Sequence, residues 1–101
     1  MSSSPKTIAL DHYVIDVLMR DIVGHDRQPA AYLVYLWLYG QAARSHWAAV
    51  RASVRLLAEN TGLSKSAVQT ALKLLRRRQL IRTESARPTE LLQHRVLRHW
   101  R

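Results

Sequence analysis

Leu57-Ala58-Glu59-Asn60-Thr61-Gly62-Leu63-Ser64-Lys65-Ser66-Ala67-Val68-Gln69-Thr70-Ala71-Leu72 joins two helical patterns through a very short break. Ala58 is small, as a residue must be where two helices cross closely. Four positions later Gly62 tolerates the left-handed backbone that a tight interhelical turn needs. Leu63 plugs the angle between the helices, and Ser64 caps the free amides of the second. Upstream, Ser53 is the matching cap for Val54–Asn60. Downstream, Val68, Ala71, Leu72 and Leu75 line one face of a helix running from Lys65 to about Arg78.

The rest of the chain reads outward from this pair. Leu80–Ser85 has the pattern of a strand, Ala86–Glu90 that of a turn, and Gln93–Trp100 can return as an antiparallel partner. Thr89-Glu90-Leu91-Leu92 also fits a helix start, so strand and helix both stay open for residues 89–100. Trp47–Arg51 fits a short strand. Towards the N-terminus, Thr7 and Asp11 offer caps for an amphipathic helix carrying Leu10, Val14, Ile15, Leu18, Met19 and Ile22 and ending near Gly24. Pro29 suits the first position of the next helix, which is apolar on nearly every side from Ala30 to about Ser45. Such a helix is either central to the core or shared with a second protomer.

The helix pair followed by Leu80-Ile81 and a basic turn resembles a winged helix-turn-helix over about residues 48–100. Leu74-Leu75-Arg76-Arg77-Arg78-Gln79-Leu80-Ile81 is similar to the helix exit of bacterial regulators of the MarR and GntR kind, with Gln79 where those families usually carry glycine. The resemblance implies a mainly α fold with a small β-hairpin wing, in which Lys65–Arg78 is the recognition helix for double-stranded DNA. Its outward face would hold Ser64, Lys65, Ser66, Gln69, Thr70, Lys73, Arg76 and Arg77. Gln69 can pair with adenine, Ser66 and Thr70 with base edges or phosphate, and the cations with phosphates. Arg82, Arg87, Arg95 and Arg98 would place the wing against the DNA backbone or in a minor groove. A solvated helix end, favoured by the macrodipole, is the other reading of Arg76-Arg77-Arg78.

Charge distribution points the same way. The 101 residues carry a net +9, and all of it falls in residues 47–101, because residues 1–46 hold four cations and four aspartates. Solubility alone does not call for that segregation, whereas a polyanionic partner does. With 48% hydrophobic residues the chain is globular, and its length fits one domain with one core. That domain comprises a polar tail at 1–6, a helical scaffold or dimerisation segment at 7–46 and a DNA-binding half at 47–101.

Other chemistries find little footing. There is no cysteine, which removes disulfides and thiolate ligands and fits a cytoplasmic setting. The Met1–Lys6 tail has no apolar stretch behind its charge, and the longest apolar run, Ala30–Gly40, is half of the ~20 residues that span a membrane. The five histidines include no pair at helical ligand spacing, so no metal is expected. Asp11, Asp16, Asp21 and Asp26 recur every five residues, about 140° apart on an α-helix, and align no carboxylate pair. Neither a phosphate loop nor a triad is visible, so neither an enzyme nor a cofactor is expected. The expectation is a transcriptional regulator, with a winged domain of a plasmid or phage replication initiator and a protein-interaction winged module as alternatives. The apolar circumference of residues 30–45 adds a homodimer built through residues 7–46.

Overall fold

The computed structural model describes residues 6–84 and 92–101. Among them it has four helices and a three-stranded antiparallel sheet, an α+β arrangement. Helix α1 consists of Val14–Leu18 and Arg20–His25 joined through Met19, α2 is Pro29–Arg44, α3 is Val54–Thr61 and α4 is Lys65–Arg77. Strands β1 (Val50–Arg51), β2 (Ile81–Glu84) and β3 (Gln93–Val96) form a sheet in the order β1-β3-β2. The expected turn at Ala86–Glu90, Arg87 within it, and the strand-or-helix alternative at residues 89–91 lie outside the described residues.

Helix α2 is the centre. Ala31, Tyr32, Val34, Tyr35, Leu38, Tyr39 and Ala42 are all buried, covered by α1, α3, α4 and the sheet within one chain. Its tyrosines reconcile an apolar circumference with polar tips. The Tyr32 hydroxyl donates to the Val14 carbonyl at 2.8 Å, the Tyr35 hydroxyl donates to the Leu97 carbonyl at 3.0 Å, and the Tyr39 hydroxyl accepts from the Asp11 amide at 3.2 Å. Burial pushes the Tyr35 phenol well above its ordinary value, so it stays a donor. Pro29 opens the helix as the sequence predicts.

The α2 exit differs from expectation. His46 and Trp47 both take left-handed backbone (φ 54° and 65°), and the Trp47 amide turns back to the Ala42 carbonyl at 2.7 Å. Each such residue costs roughly 1–2 kcal/mol. The offset is visible in the Trp47 ring, which meets Tyr39 edge-on at 4.8 Å and carries the Arg98 guanidinium at 3.5 Å from its centre. The strand expected from Trp47 is therefore cut to Val50–Arg51, and Arg98 is held on an aromatic ring rather than on the sheet.

Helix α1 corrects a second expectation. Neither Thr7 nor Asp11 caps it with a side chain, and it is wound with i→i+5 bonds. Its buried residues, Val14, Leu18 and Ile22, repeat strictly every four positions, while Ile15 and Met19 stay exposed. On an α-helix a four-residue repeat drifts about 40° per step, and the wider i→i+5 winding changes that drift where α1 packs on α2. Asp11 instead accepts from Trp100 Nε1 at 2.9 Å and lies 3.6 Å from Arg101 Nε.

The helix pair follows its sequence closely. Ser53 Oγ accepts from the Leu56 amide, Gly62 stands at φ 78°, and Ser64 Oγ accepts from the Ala67 amide. Helix α4 ends one residue short of Arg78 in a Schellman motif: Leu80 N–H reaches the Leu75 carbonyl at 2.9 Å and Gln79 N–H the Arg76 carbonyl at 3.0 Å. Gln79 adopts φ 58° there, the left-handed position usually given to glycine. Leu80 then turns inward, fully buried. β2 starts at Ile81, and β3 stops at Val96 instead of running to Trp100, because residues 98–101 close a turn through Arg101 N–H and the Arg98 carbonyl.

Gln79→Gly relieves about 1–2 kcal/mol of left-handed strain and costs about 0.5–1 kcal/mol of added chain entropy. Urea unfolding should show a gain of up to about 1.5 kcal/mol. A clear loss would mean that the Gln79 side chain contributes more than its strain costs.

Candidate nucleic-acid interface

Helix α4 divides into two faces. Val68, Ala71, Leu72, Leu74 and Leu75 are buried, chiefly against α2, whereas Lys65, Ser66, Gln69, Thr70, Lys73, Arg76 and Arg77 are all exposed. The structure thus brings seven of the sequence-named residues onto one helix surface. No acidic residue occurs between the Ser64 cap and Arg78. Ser64 is exposed but its hydroxyl is occupied, accepting from Ala67 N–H at 3.1 Å with Ser66 Oγ 3.2 Å away.

The sheet adds cations in register. Arg82 on β2 lies directly opposite Arg95 on β3, and both are exposed. Like charges facing across strands destabilise a sheet, and an anion between or beside them removes that repulsion. Arg51 on β1, opposite Gln93, extends the same outward face, a role that sequence reasoning did not assign to it.

Arg76 links helix and sheet. A groove of about 340 Å³ runs along Gln69, Lys73 and Arg76 beside Val54 and Leu92. A second, of about 440 Å³, is lined by Arg76, Gln79, Arg82 and Thr83. The Arg76–Arg78 run is not uniform. Arg76 reaches towards Thr83 and Arg77 is solvated, but Arg78 turns to the end of α1, where it makes a two-pronged pair with Asp26 (Nη2 to Oδ1 2.8 Å, with Nε on Oδ2). The Arg78 guanidinium holds the Asp26 carboxyl below its ordinary value. Arg78 is therefore a tie between the two halves of the chain.

His94 is the polar residue that sequence reasoning missed. It is wholly buried on the inner row of the sheet, between Thr83 and Val50 in register, with Nδ1 2.9 Å from Thr83 Oγ1 and Nε2 3.1 Å from the Ala52 carbonyl. Its alternation with Val96 was the available signal. Among the described residues no group of three potential ligands gathers to hold a metal, no helix is long and apolar enough to cross a membrane, and every buried side-chain polar atom has a partner. The five-residue aspartate repeat is dispersed in use as well: Asp11 meets Trp100, Asp21 meets Arg20 and Asp26 meets Arg78.

Burial lowers the His94 pKa below its ordinary 6.5, so the unfolded chain takes up a proton before the folded one does. Stability from this group is complete above pH 6.5 and declines as the pH falls below it. Asp26 acts in a second window, with its contribution complete above pH 3.8 and lost below. Unfolding titrations should show both steps. His94→Gln should remove the first, and Asp26→Asn should remove the second while costing about 1–2 kcal/mol at neutral pH. A wild-type stability flat from pH 7 to pH 5 would contradict the burial of a neutral His94.

Compared with known protein families, with curated proteins and with solved structures, the chain matches none of them.

Proposed function

We propose that this chain is a winged helix-turn-helix domain that binds double-stranded DNA and acts in transcriptional regulation. The observation that carries the reading is the outward face of α4, which bears four cations and three neutral polar residues and no carboxylate. A helix face that merely meets water mixes both signs. Further support comes from the Arg82–Arg95 opposition and from the succession of a helix, a short strand, the helix pair and two strands, with the first strand joined to the last.

In this reading α4 lies in the major groove. Gln69 reads an adenine edge, Ser66 and Thr70 bond bases or phosphate, and Lys65, Lys73, Arg76 and Arg77 clamp phosphates. Arg82 and Arg95, with Arg87 in the connection between their strands, take the neighbouring backbone. A basic recognition face speaks against a protein-interaction module.

The homodimer through residues 7–46 belongs to the same proposal: α2 leaves Leu33 45% accessible, and α1 adds a longer apolar surface. Ile15, Met19 and Val23 form an exposed row there, 37–43% accessible. Asp16 and Arg20 flank that row in the order that lets two antiparallel copies pair reciprocally. Two α4 helices about 34 Å apart would then read a palindrome.

Fluorescence anisotropy with duplex DNA tests the reading. Neutralising about five to seven phosphates gives a slope of log K against log salt of roughly −5 to −6. Gln69→Ala should cost about 1–3 kcal/mol on the preferred site and little on random duplex, whereas Lys73→Ala should weaken both alike. A slope near zero sinks the proposal. Sedimentation at micromolar concentration reads the dimer: a lone 11.7 kDa species would refute it and leave the DNA reading standing.

A further inference from the structure

His94 is fully buried, yet both ring nitrogens are engaged, and the partners fix which way each bond runs. The Ala52 carbonyl can only accept, so Nε2 carries the proton and donates to it at 3.1 Å. In the neutral ring Nδ1 is then an acceptor, and the Thr83 hydroxyl, 2.9 Å away, donates to it. The Thr83 oxygen is left free to accept, and Arg76 Nη1 stands 3.4 Å from it. The bonds therefore run in one direction, from Arg76 on the exposed face of α4 through Thr83 and His94 to Ala52. That anchor is firm: Ala52 is buried, its own N–H is bonded to the Leu92 carbonyl at 3.0 Å, and it precedes the Ser53 cap of α3.

We propose that Thr83, backed by His94, is a positioning residue for Arg76, holding the guanidinium ready for a phosphate where the two grooves meet. The phosphate rests on the DNA-binding reading; the ordering of Arg76 rests on the bonds alone. A free arginine surrenders its rotamer freedom when it binds, and one already held surrenders less, so the relay converts ordering in the free protein into affinity. Arg77 supplies the internal comparison. It is the next residue on the same exposed turn and makes no side-chain hydrogen bond among the described residues.

The experiment is ¹⁵N relaxation at the arginine Nε positions of the free protein, paired with duplex affinities. Arg76 should be more ordered than Arg77 in the wild type, should lose that difference in Thr83→Val and should regain it in Thr83→Ser, which keeps the hydroxyl. Thr83→Val should weaken duplex binding about three- to tenfold, and should change nothing further in an Arg76→Ala background. The wild-type comparison of Arg76 with Arg77 needs no variant, so a poorly folding Thr83→Val does not spoil the test. Equal order at Arg76 and Arg77, or additive effects of Thr83→Val and Arg76→Ala, overturns the relay. Ordered Arg76 in a protein that binds no duplex upholds the relay as an ordering device and overturns the DNA reading alone.

Discussion

Burying a helix that is apolar around its whole circumference is the constraint on which this structure depends. Apart from a strip around Leu33 that stays exposed, helix α2 is closed over by other elements: α1 along one flank, α3 and α4 along another, and the sheet beyond. The three tyrosines make the closure specific. Each buries a ring and sends its hydroxyl to one backbone group, at Val14, Leu97 or Asp11. Hydrophobic burial alone is non-directional, and those hydroxyls select where α1 and the C-terminal segment sit.

The same constraint shapes the candidate site. Because α4 gives its Val68, Ala71, Leu72 and Leu75 face to the core, its opposite face is held rigidly outward. Arg78 leaves that face to tie Asp26, and Arg76 remains on it, steadied from the sheet. Adjacent arginines in one run thus have different work, set by which neighbour each helical position meets. The net-neutral N-terminal half and the strongly basic C-terminal half are joined at that Asp26–Arg78 pair.

Local chemistry was legible in the sequence and long-range chemistry was not. Ser53, Gly62 and Ser64 sit where caps and a left-handed turn require them, so the α3–α4 pair and its exposed face could be read directly. Gln79 hid its left-handed position because the residue type disfavours it; the Schellman bonds and the burial of Leu80 override that preference. The winding of α1 was hidden too, since a four-residue apolar repeat fits an α-helix approximately and only packing on α2 reveals the mismatch. His94, Thr83 and Asp26 acquire their roles from partners 11 to 52 residues away, which no spacing rule anticipates. The short strands were overextended for a related reason: turns at Trp47 and Arg98 end them, and both turns are fixed by tertiary contacts.

The most direct test of the proposed interface is a backbone amide chemical-shift map of the free protein titrated with duplex DNA. The account predicts perturbations concentrated at Lys65–Arg77 of α4, at Arg82 and at Arg95, with the buried faces of α1 and α2 unmoved. Perturbations centred on α1 or α2 with α4 silent would contradict it.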